Sequence, residues 1–530
     1  MNRGCFLLYA TLILLLAAGL RFHALGQDAR FHQDEALFAS FARRAAVQGD
    51  WLLTGALDKT PLSIYLQAIS FSAVGVTPLP DGVLTLGVHQ GEFAARLPAI
   101  FASILLVAVI SRVARGQGSG VRGKPQAAIR NPLVALFIAA CSPLLIAFSP
   151  TAFTDMPFLL LLTVSLWLTL RGKPLWAGVW LALAFAAKQQ AVLYVPLLIA
   201  ISYQRLAISQ KAKGERTAAD AINRVPTGES SSIVRHGLLL VLPLALMLLL
   251  LLGWDALRNS PPGLFALATA NNAPDRFPRP DELLPRLQTW WAYADMLIGW
   301  PFVLVAGFIL IWLVTLRRTV TRVDGVLAGY TALYLLAHWL LPFNTYDRYL
   351  LPLVPLVISL LARSVQEIGK AYAVLIYSGR IYGRRRPNPP LRPHLATTYV
   401  LIGLTLLPAA WSAARLHVAV GGDRGQLAGI DALADWLEAK PLGTIIYDRW
   451  LGWGLEYYRG SWSDKRMVYY PTPGELARGA AAQPDPAPRY FPMPVEVSAE
   501  GWLQALREAG FSINRAYESA RFIVYELIPP

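Results

Sequence analysis

The stretch HGLLLVLPLALMLLLLLGW, which begins at His236, constrains the fold more than any other part of the chain. It contains no Asp, Glu, Lys or Arg. About 20 such residues span the hydrocarbon core of a bilayer, and a helix satisfies its own backbone hydrogen bonds there. Similar runs recur along the 530 residues, which are 55% hydrophobic and 15% charged. Soluble proteins carry about 25% charged residues. With a mean hydropathy of +0.43, the chain reads as a polytopic α-helical membrane protein. The net charge of +15 comes from Lys and Arg lying between the apolar runs, as in cytoplasmic loops, so no nucleic-acid partner is expected. Cys5 and Cys141 lie inside apolar runs and read as packing residues without a disulfide framework.

Charge bias threads the chain. The first run, 5–25, could be a signal peptide cut near Ala24-Leu25-Gly26, but Arg21 and His23 beside that point favour a retained helix. Arg3 starts the chain inside. The loop with Arg112, Arg115, Arg122, Lys124 and Arg130 is cytoplasmic, so one crossing lies before it, at 93–113. The polar-flecked run 62–76 then lies in the outer interface. Further runs alternate at 133–148, 156–170, 237–254, 296–316, 326–341, 350–362 and 398–417. The run 174–203 is divided by Lys188 into two arms, each short of the ~20 residues that span, and reads as a hairpin with Lys188 near its outer tip. That makes about eleven crossings, or nine plus a partial hairpin. The basic run 384–386 lies inside, and the loops 204–234 and 364–397 read as mobile cytoplasmic segments.

The resulting division is a transmembrane part, 1–418, with outer segments 27–91 and 255–295, and an extracytoplasmic tail, 419–530. The tail alternates helix and strand patterns. IDALADWLEA and GWLQALREAGF have helical period, while GTIIYDRW and RFIVYEL are strand-like, so a small soluble α/β domain is expected.

The charges outside the basic loops share one face. Asp34 and Glu35 follow the first helix, Asp58 and Lys59 precede the interfacial one, and Asp155, Lys188, Asp347 and Arg348 stand at outer turns. Each has an ordinary reading: a solvated loop for Asp34-Glu35, a helix cap for Asp155, a snorkelling Lys188, a pair between Asp347 and Arg348. Gathered at one membrane face, they suit transfer from a lipid phosphate. A carboxylate serves as general base for an acceptor hydroxyl, and the cations bind phosphate and stabilise the leaving group.

In order, the segments are Asp34-Glu35, DKTPLSIYLQAISFSAVG, GEFAARLPAIFASI, TDMPFLLLLTVSLWLTLRG, LALAFAAKQQAVLYVPL and YDRYLLPLVPLV. Over roughly residues 1–365 this series resembles the GT-C glycosyltransferases, in the branch of protein O-mannosyltransferases and aminoarabinose transferases. The resemblance implies inverting transfer from a polyprenyl-phosphate sugar on the outer face of the plasma membrane. It implies Asp34 as base, with Glu35 beside it, and donor contacts from Lys59, Asp155, Lys188, Tyr346 and Arg348. Two positions depart from the family: Lys59-Thr60-Pro61 replaces Lys-Pro-Pro, and Gln189-Gln190 stands where a glycine often follows the lysine.

Other readings are a transporter or lipid flippase, a polymerase or ligase using diphosphate-linked donors, and a binding protein whose Trp450, Trp453, Tyr457 and Tyr458 stack on sugar. Transporters place ionisable groups near the midplane and often carry inverted repeats; neither is found here. The four aromatics read more simply as domain core. No zinc-like cluster occurs. His32 near Asp34 and Glu35 leaves a divalent ion open, and His338 is expected to pack on Trp339. The acceptor, whether lipid, protein or glycan, cannot be read from the residues.

Overall fold

The computed structural model describes residues 3–116, 132–217, 229–272, 276–378, 392–422, 425–484 and 486–530. Arg122, Lys124, Arg130 and the basic run 384–386 lie outside the described residues. Among the described residues, Gly4–Leu25, Val88–Arg115, Val234–Arg258 and Asp347–Ala371 are long and apolar enough to cross a membrane. Shorter apolar helices are Leu62–Val74, Asp155–Leu170, Pro174–Ala187 and Phe302–Thr315. The last, with 14 residues, is about 21 Å long against a core of ~30 Å. The run 133–148 is divided at Ser142, whose hydroxyl caps the piece Pro143–Ala147 by accepting from Leu145 N.

Burial separates a lipid-facing helix from a central one. Glu229–Arg258 leaves Leu249 and Leu250 exposed, whereas 83% of an 18-residue stretch within Asp347–Ala371 is buried. Apolar residues all round suit either place; the neighbours decide which. Arg21, fully buried in Arg3–Leu25, donates to Ser103 Oγ at 2.7 Å and to the carbonyls of Ala17 and Ala140. It thereby joins three helices through groups that would otherwise be desolvated without partners.

Lys188 is extended (φ −159, ψ 127) between Pro174–Ala187 and the 3-10 turn Gln189–Tyr194, after which Val195–Thr217 begins. Both helices pack against Asp155–Leu170 and Glu229–Arg258. The expected loop 255–295 is largely helical, with Leu264–Asn272 and Pro280–Asp295. Pro280 suits the first helical position, and Glu282 reaches back to accept from Arg279 N at 2.9 Å. The segment 27–91 likewise holds the helices Gln33–Gln48 and Leu62–Val74 and a hairpin of Val76–Pro78 with Leu84–Leu86.

The C-terminal part carries a five-stranded sheet in the spatial order Arg466–Tyr469, Ile445–Asp448, Arg489–Pro494, Phe522–Ile528, Ser512–Glu518. The first three strands are parallel, with Phe522–Ile528 antiparallel to both its neighbours. Ile430–Glu438 and Glu500–Glu508 are helices. Gly510 turns the chain after the latter with φ +90, a conformation costly for any residue with a Cβ.

Candidate active site

The site is built around the start of Gln33–Gln48. His32 caps this helix: its Nδ1 accepts from Asp34 N at 3.0 Å, and Glu35 Oε2 accepts from His32 N at 2.8 Å. The second Glu35 oxygen accepts from Ala152 N at 2.7 Å, with Arg96 Nε 3.5 Å away. Glu35 is buried and committed to the backbone. It ties its helix to the turn before Asp155 and supports Asp34 from behind. The adjacent carboxylate points elsewhere: Asp34 Oδ2 accepts from Arg348 Nη1 at 2.6 Å, and a third of the Asp34 side chain is exposed. Burial pushes the Asp34 carboxyl up, but the charge and hydrogen bond of Arg348, aided by His32 and Lys59, outweigh it and hold it below the usual carboxylate range.

Lys188 and Asp155 form a buried pair at 2.6 Å. Lys59 pairs with Asp58 at 2.5 Å, and Asn271 also donates to Asp58. Lys59, Lys188 and Arg348 line one cavity of about 380 Å³. Asp155 and Tyr346 stand behind them: Asp155 holds Lys188, and the Tyr346 ring lies 5.0 Å from the Arg348 guanidinium. Asp347 accepts from Arg348 N at 2.7 Å and from Gly421 N at 2.9 Å. Phe265, Thr269 and Asn272 of the 264–272 helix form part of the same wall.

A second cavity, of about 850 Å³, is lined by Asp28, Arg30, His32, Arg96, His417 and Asp431 among others. Asp34 touches a lining residue of each: its amide meets His32 of the larger, and its carboxylate meets Arg348 of the smaller.

Sequence reasoning passed over the contacts that seat this helix. Gln33 Nε2 donates to Trp450 O at 3.1 Å, and Gln33 Oε1 accepts from Gly454 N at 3.0 Å. Arg43 donates to the carbonyls of Tyr457 and Glu456. Tyr458 OH accepts from Phe31 N at 2.7 Å and donates to Glu92. Tyr457 and Tyr458 are buried at this junction, Trp450 packs on Phe491 and Trp502, and Trp453 packs on Phe41. No local signal announces a glutamine clip across 417 residues. The His32-x-x-Glu35 cap was readable in principle, but His is not among the usual capping residues. His338 does not pack on Trp339; it stacks on Tyr334 with Trp290 at its edge, because Trp339 Nε1 turns to donate to Leu283 O. Among the described residues no group of three or more His, Cys, Asp or Glu side chains is placed to hold a metal ion. His32 Nδ1 and both Glu35 oxygens are already engaged.

This architecture is the fold of the GT-C glycosyltransferases. ArnT from Cupriavidus metallidurans, solved with undecaprenyl phosphate bound, superposes with a TM-score of 0.57 at 14% identity, over 99% of this chain and 98% of that one. The oligosaccharyltransferase of Archaeoglobus fulgidus, in its apo form, gives 0.55 at 12% identity, over 100% of this chain and 75% of that one. At these identities the likeness is one of fold. No protein-family model and no curated protein matches the sequence.

Proposed function

We propose that this protein is an integral membrane glycosyltransferase that moves a sugar, with inversion, from a polyprenyl-phosphate donor to an acceptor hydroxyl on the outer face of the plasma membrane. The observation that carries the reading is Asp34, joined at 2.6 Å to Arg348 in the wall of a cavity that Lys59 and Lys188 also line. The solved ArnT with undecaprenyl phosphate supports the donor class. In this reading about eleven crossings, some short or broken, hold the site at the outer surface, and residues 419–530 form a soluble domain outside the cytoplasm.

The donor phosphate sits in the smaller cavity against Lys59, Lys188 and Arg348, with its polyprenyl tail in the bilayer. The acceptor enters by the larger cavity, whose Asp28, Arg30, His32, Arg96 and Asp431 suit a polar, hydroxyl-bearing group. Asp34 accepts the proton of the acceptor hydroxyl as its oxygen attacks the anomeric carbon from the face opposite the phosphate. The bond from that carbon to the phosphate oxygen breaks, and its electron pair leaves on the lipid phosphate, which the three cations neutralise. One displacement inverts the anomeric centre. Asp155 holds Lys188 in place, and Tyr346 supports Arg348 through its ring face.

The test is transfer of radiolabelled sugar from polyprenyl-phosphoryl sugars into cell-envelope fractions by membranes containing the protein. Transfer that Asp34→Asn abolishes supports the reading. Transfer at the wild-type rate by the folded, inserted variant would sink it.

A further inference from the structure

Each cation assigned above to the donor phosphate already holds a carboxylate. Arg348 holds Asp34 and Lys188 holds Asp155, both at 2.6 Å, and Lys59 holds Asp58 at 2.5 Å. Three positive and three negative side chains therefore cancel. Bringing a phosphate into such a site adds negative charge where water is largely excluded and repulsion between like charges is poorly screened. An anion enters readily only if one of the internal carboxylates gives way.

The three pairs are not equally able to do so. Asp155 and Lys188 are both deeply buried, with side chains 3% and 10% exposed. Parting them strands a charge without water, which is strongly unfavourable. Asp58 and Lys59 are chain neighbours, and Asn271 adds a second donor to Asp58. Asp34 differs. Its side chain is 33% exposed, so water can replace what it loses, and its partner comes from an element 314 residues away. Arg348 for its part keeps the Phe153 and Tyr346 ring faces, at 5.6 and 5.0 Å, whichever anion it binds. Lys59 is a further cation within reach of Asp34, and the His32 imidazole also faces it. His32 caps the helix through Asp34's own amide and so keeps the backbone in place while the carboxylate swings.

We infer that the donor phosphate exchanges with Asp34 on Arg348, so that donor binding itself delivers the free carboxylate that serves as base. The inference rests on the donor reading above. Asp34 then has two roles: it is the internal rival of the phosphate, and once displaced it is the proton acceptor. Released from Arg348 it also becomes a stronger base, since the interaction that favoured its ionised form is gone. The reaction acquires an order. An acceptor that arrives first meets a carboxylate already engaged, and only after the donor is seated does the hydroxyl find an acceptor for its proton.

The experiment measures the affinity of the full-length protein in nanodiscs for undecaprenyl phosphate. Asp34→Asn removes the rival and is expected to bind about fivefold tighter, the worth of a partly exposed ion pair. Arg348→Gln and Lys188→Gln are expected to bind more weakly. Asp50→Asn, which removes a negative charge just after the helix Gln33–Gln48 and outside both cavities, is expected to change little, and equal tightening there would show a general field effect and overturn the exchange. Unchanged or weaker binding by Asp34→Asn, with Arg348→Gln and Lys188→Gln both weakened, overturns the exchange and leaves the donor site standing. Unchanged binding by both Arg348→Gln and Lys188→Gln overturns the donor site itself. A structure of the wild-type protein with undecaprenyl phosphate gives a second readout that needs no variant to fold. Arg348 on the phosphate and parted from Asp34 supports the exchange; an intact pair beside a bound phosphate overturns it.

Discussion

The smaller cavity is lined by Lys59, Lys188 and Arg348, and the larger by Arg30, Arg96, Asp28 and Asp431, yet the two sets of charges are wired differently. In the smaller, each cation meets one carboxylate. In the larger, Arg30 alone gathers Glu92 at 2.6 Å, Asp431 at 3.3 Å and Asp28, and His89 adds a contact to Glu92. A carboxylate held by one partner and part-exposed exchanges at low cost, while a network shared among several residues resists any single displacement. Glu92 and Asp431 also link the N-terminal part of the chain to the C-terminal part, since Glu92 of the helix Val88–Gly116 accepts from Tyr458 and Asp431 of the helix Ile430–Glu438 meets Arg30. The smaller cavity is therefore suited to chemistry on an anion, and the larger to holding two parts of the chain around a neutral polar group.

The strongest break of this contrast is at Asp34. Replacing it with Asn is expected to lower transfer at least about 10²-fold, the lower bound for loss of a general base, with folding and insertion kept. Its ionisation also carries a sign. Because Arg348 outweighs burial and holds Asp34 low, activity depending on the ionised form persists to acid pH and is lost as pH falls through that lowered value. If the donor takes Arg348 away, the acid limb of kcat, which reports the bound complex, lies at higher pH than that of kcat/KM, which reports the free enzyme. Coincident limbs would count against the exchange.

Next in size is Lys188→Met, which leaves Asp155 buried without its cation. It is expected to cost about 3 kcal/mol of stability as well as donor affinity, read as a lowered unfolding midpoint in detergent. Arg348→Gln, in a part-exposed pair, is expected to lose donor affinity with a much smaller change in that midpoint.

A smaller effect is expected at Gln33, which touches neither cavity's cations but clips the base-bearing helix to Trp450 O and Gly454 N. Gln33→Ala removes two hydrogen bonds of about 1 kcal/mol each. It is expected to lower kcat several-fold while leaving undecaprenyl phosphate affinity unchanged. Equal losses in both would mean general loosening and no positioning of Asp34.

The smallest change concerns the wall of the smaller cavity. Arg286 donates to the carbonyls of Trp339, His338, Leu341 and Phe343, fastening Pro280–Asp295, while Leu264–Asn272 contributes Phe265 and Asn272 to the cavity. If 255–295 acts as a lid, hydrogen exchange under saturating donor slows at 264–272 more than at 280–295. Unchanged protection in both would make it a static cap.

Much of the architecture could be read without coordinates, because its causes are local or additive. Apolar runs such as that after His236 must leave water wherever the rest of the chain goes. The pattern of RFIVYEL becomes the strand Phe522–Ile528, and Ile430–Glu438 forms where helical period was read. Adjacency in sequence does not make Asp34 and Glu35 a single feature, because consecutive helix positions point about 100° apart. Glu35 therefore turns inward to His32 N and Ala152 N, while Asp34 turns to Arg348.

The sequence alone determined that the chain is a membrane protein and which charges stand outside its basic loops, since hydropathy and charge placement are properties of each segment taken separately. Only the tertiary structure decided how those charges are shared. Arg348 reaches Asp34 across 314 residues and Gln33 reaches Trp450 across 417. Which carboxylate answers which cation depends on distances and burial that exist only once the helices have packed, because the strength of a charge pair is set by separation and by how much water remains around it.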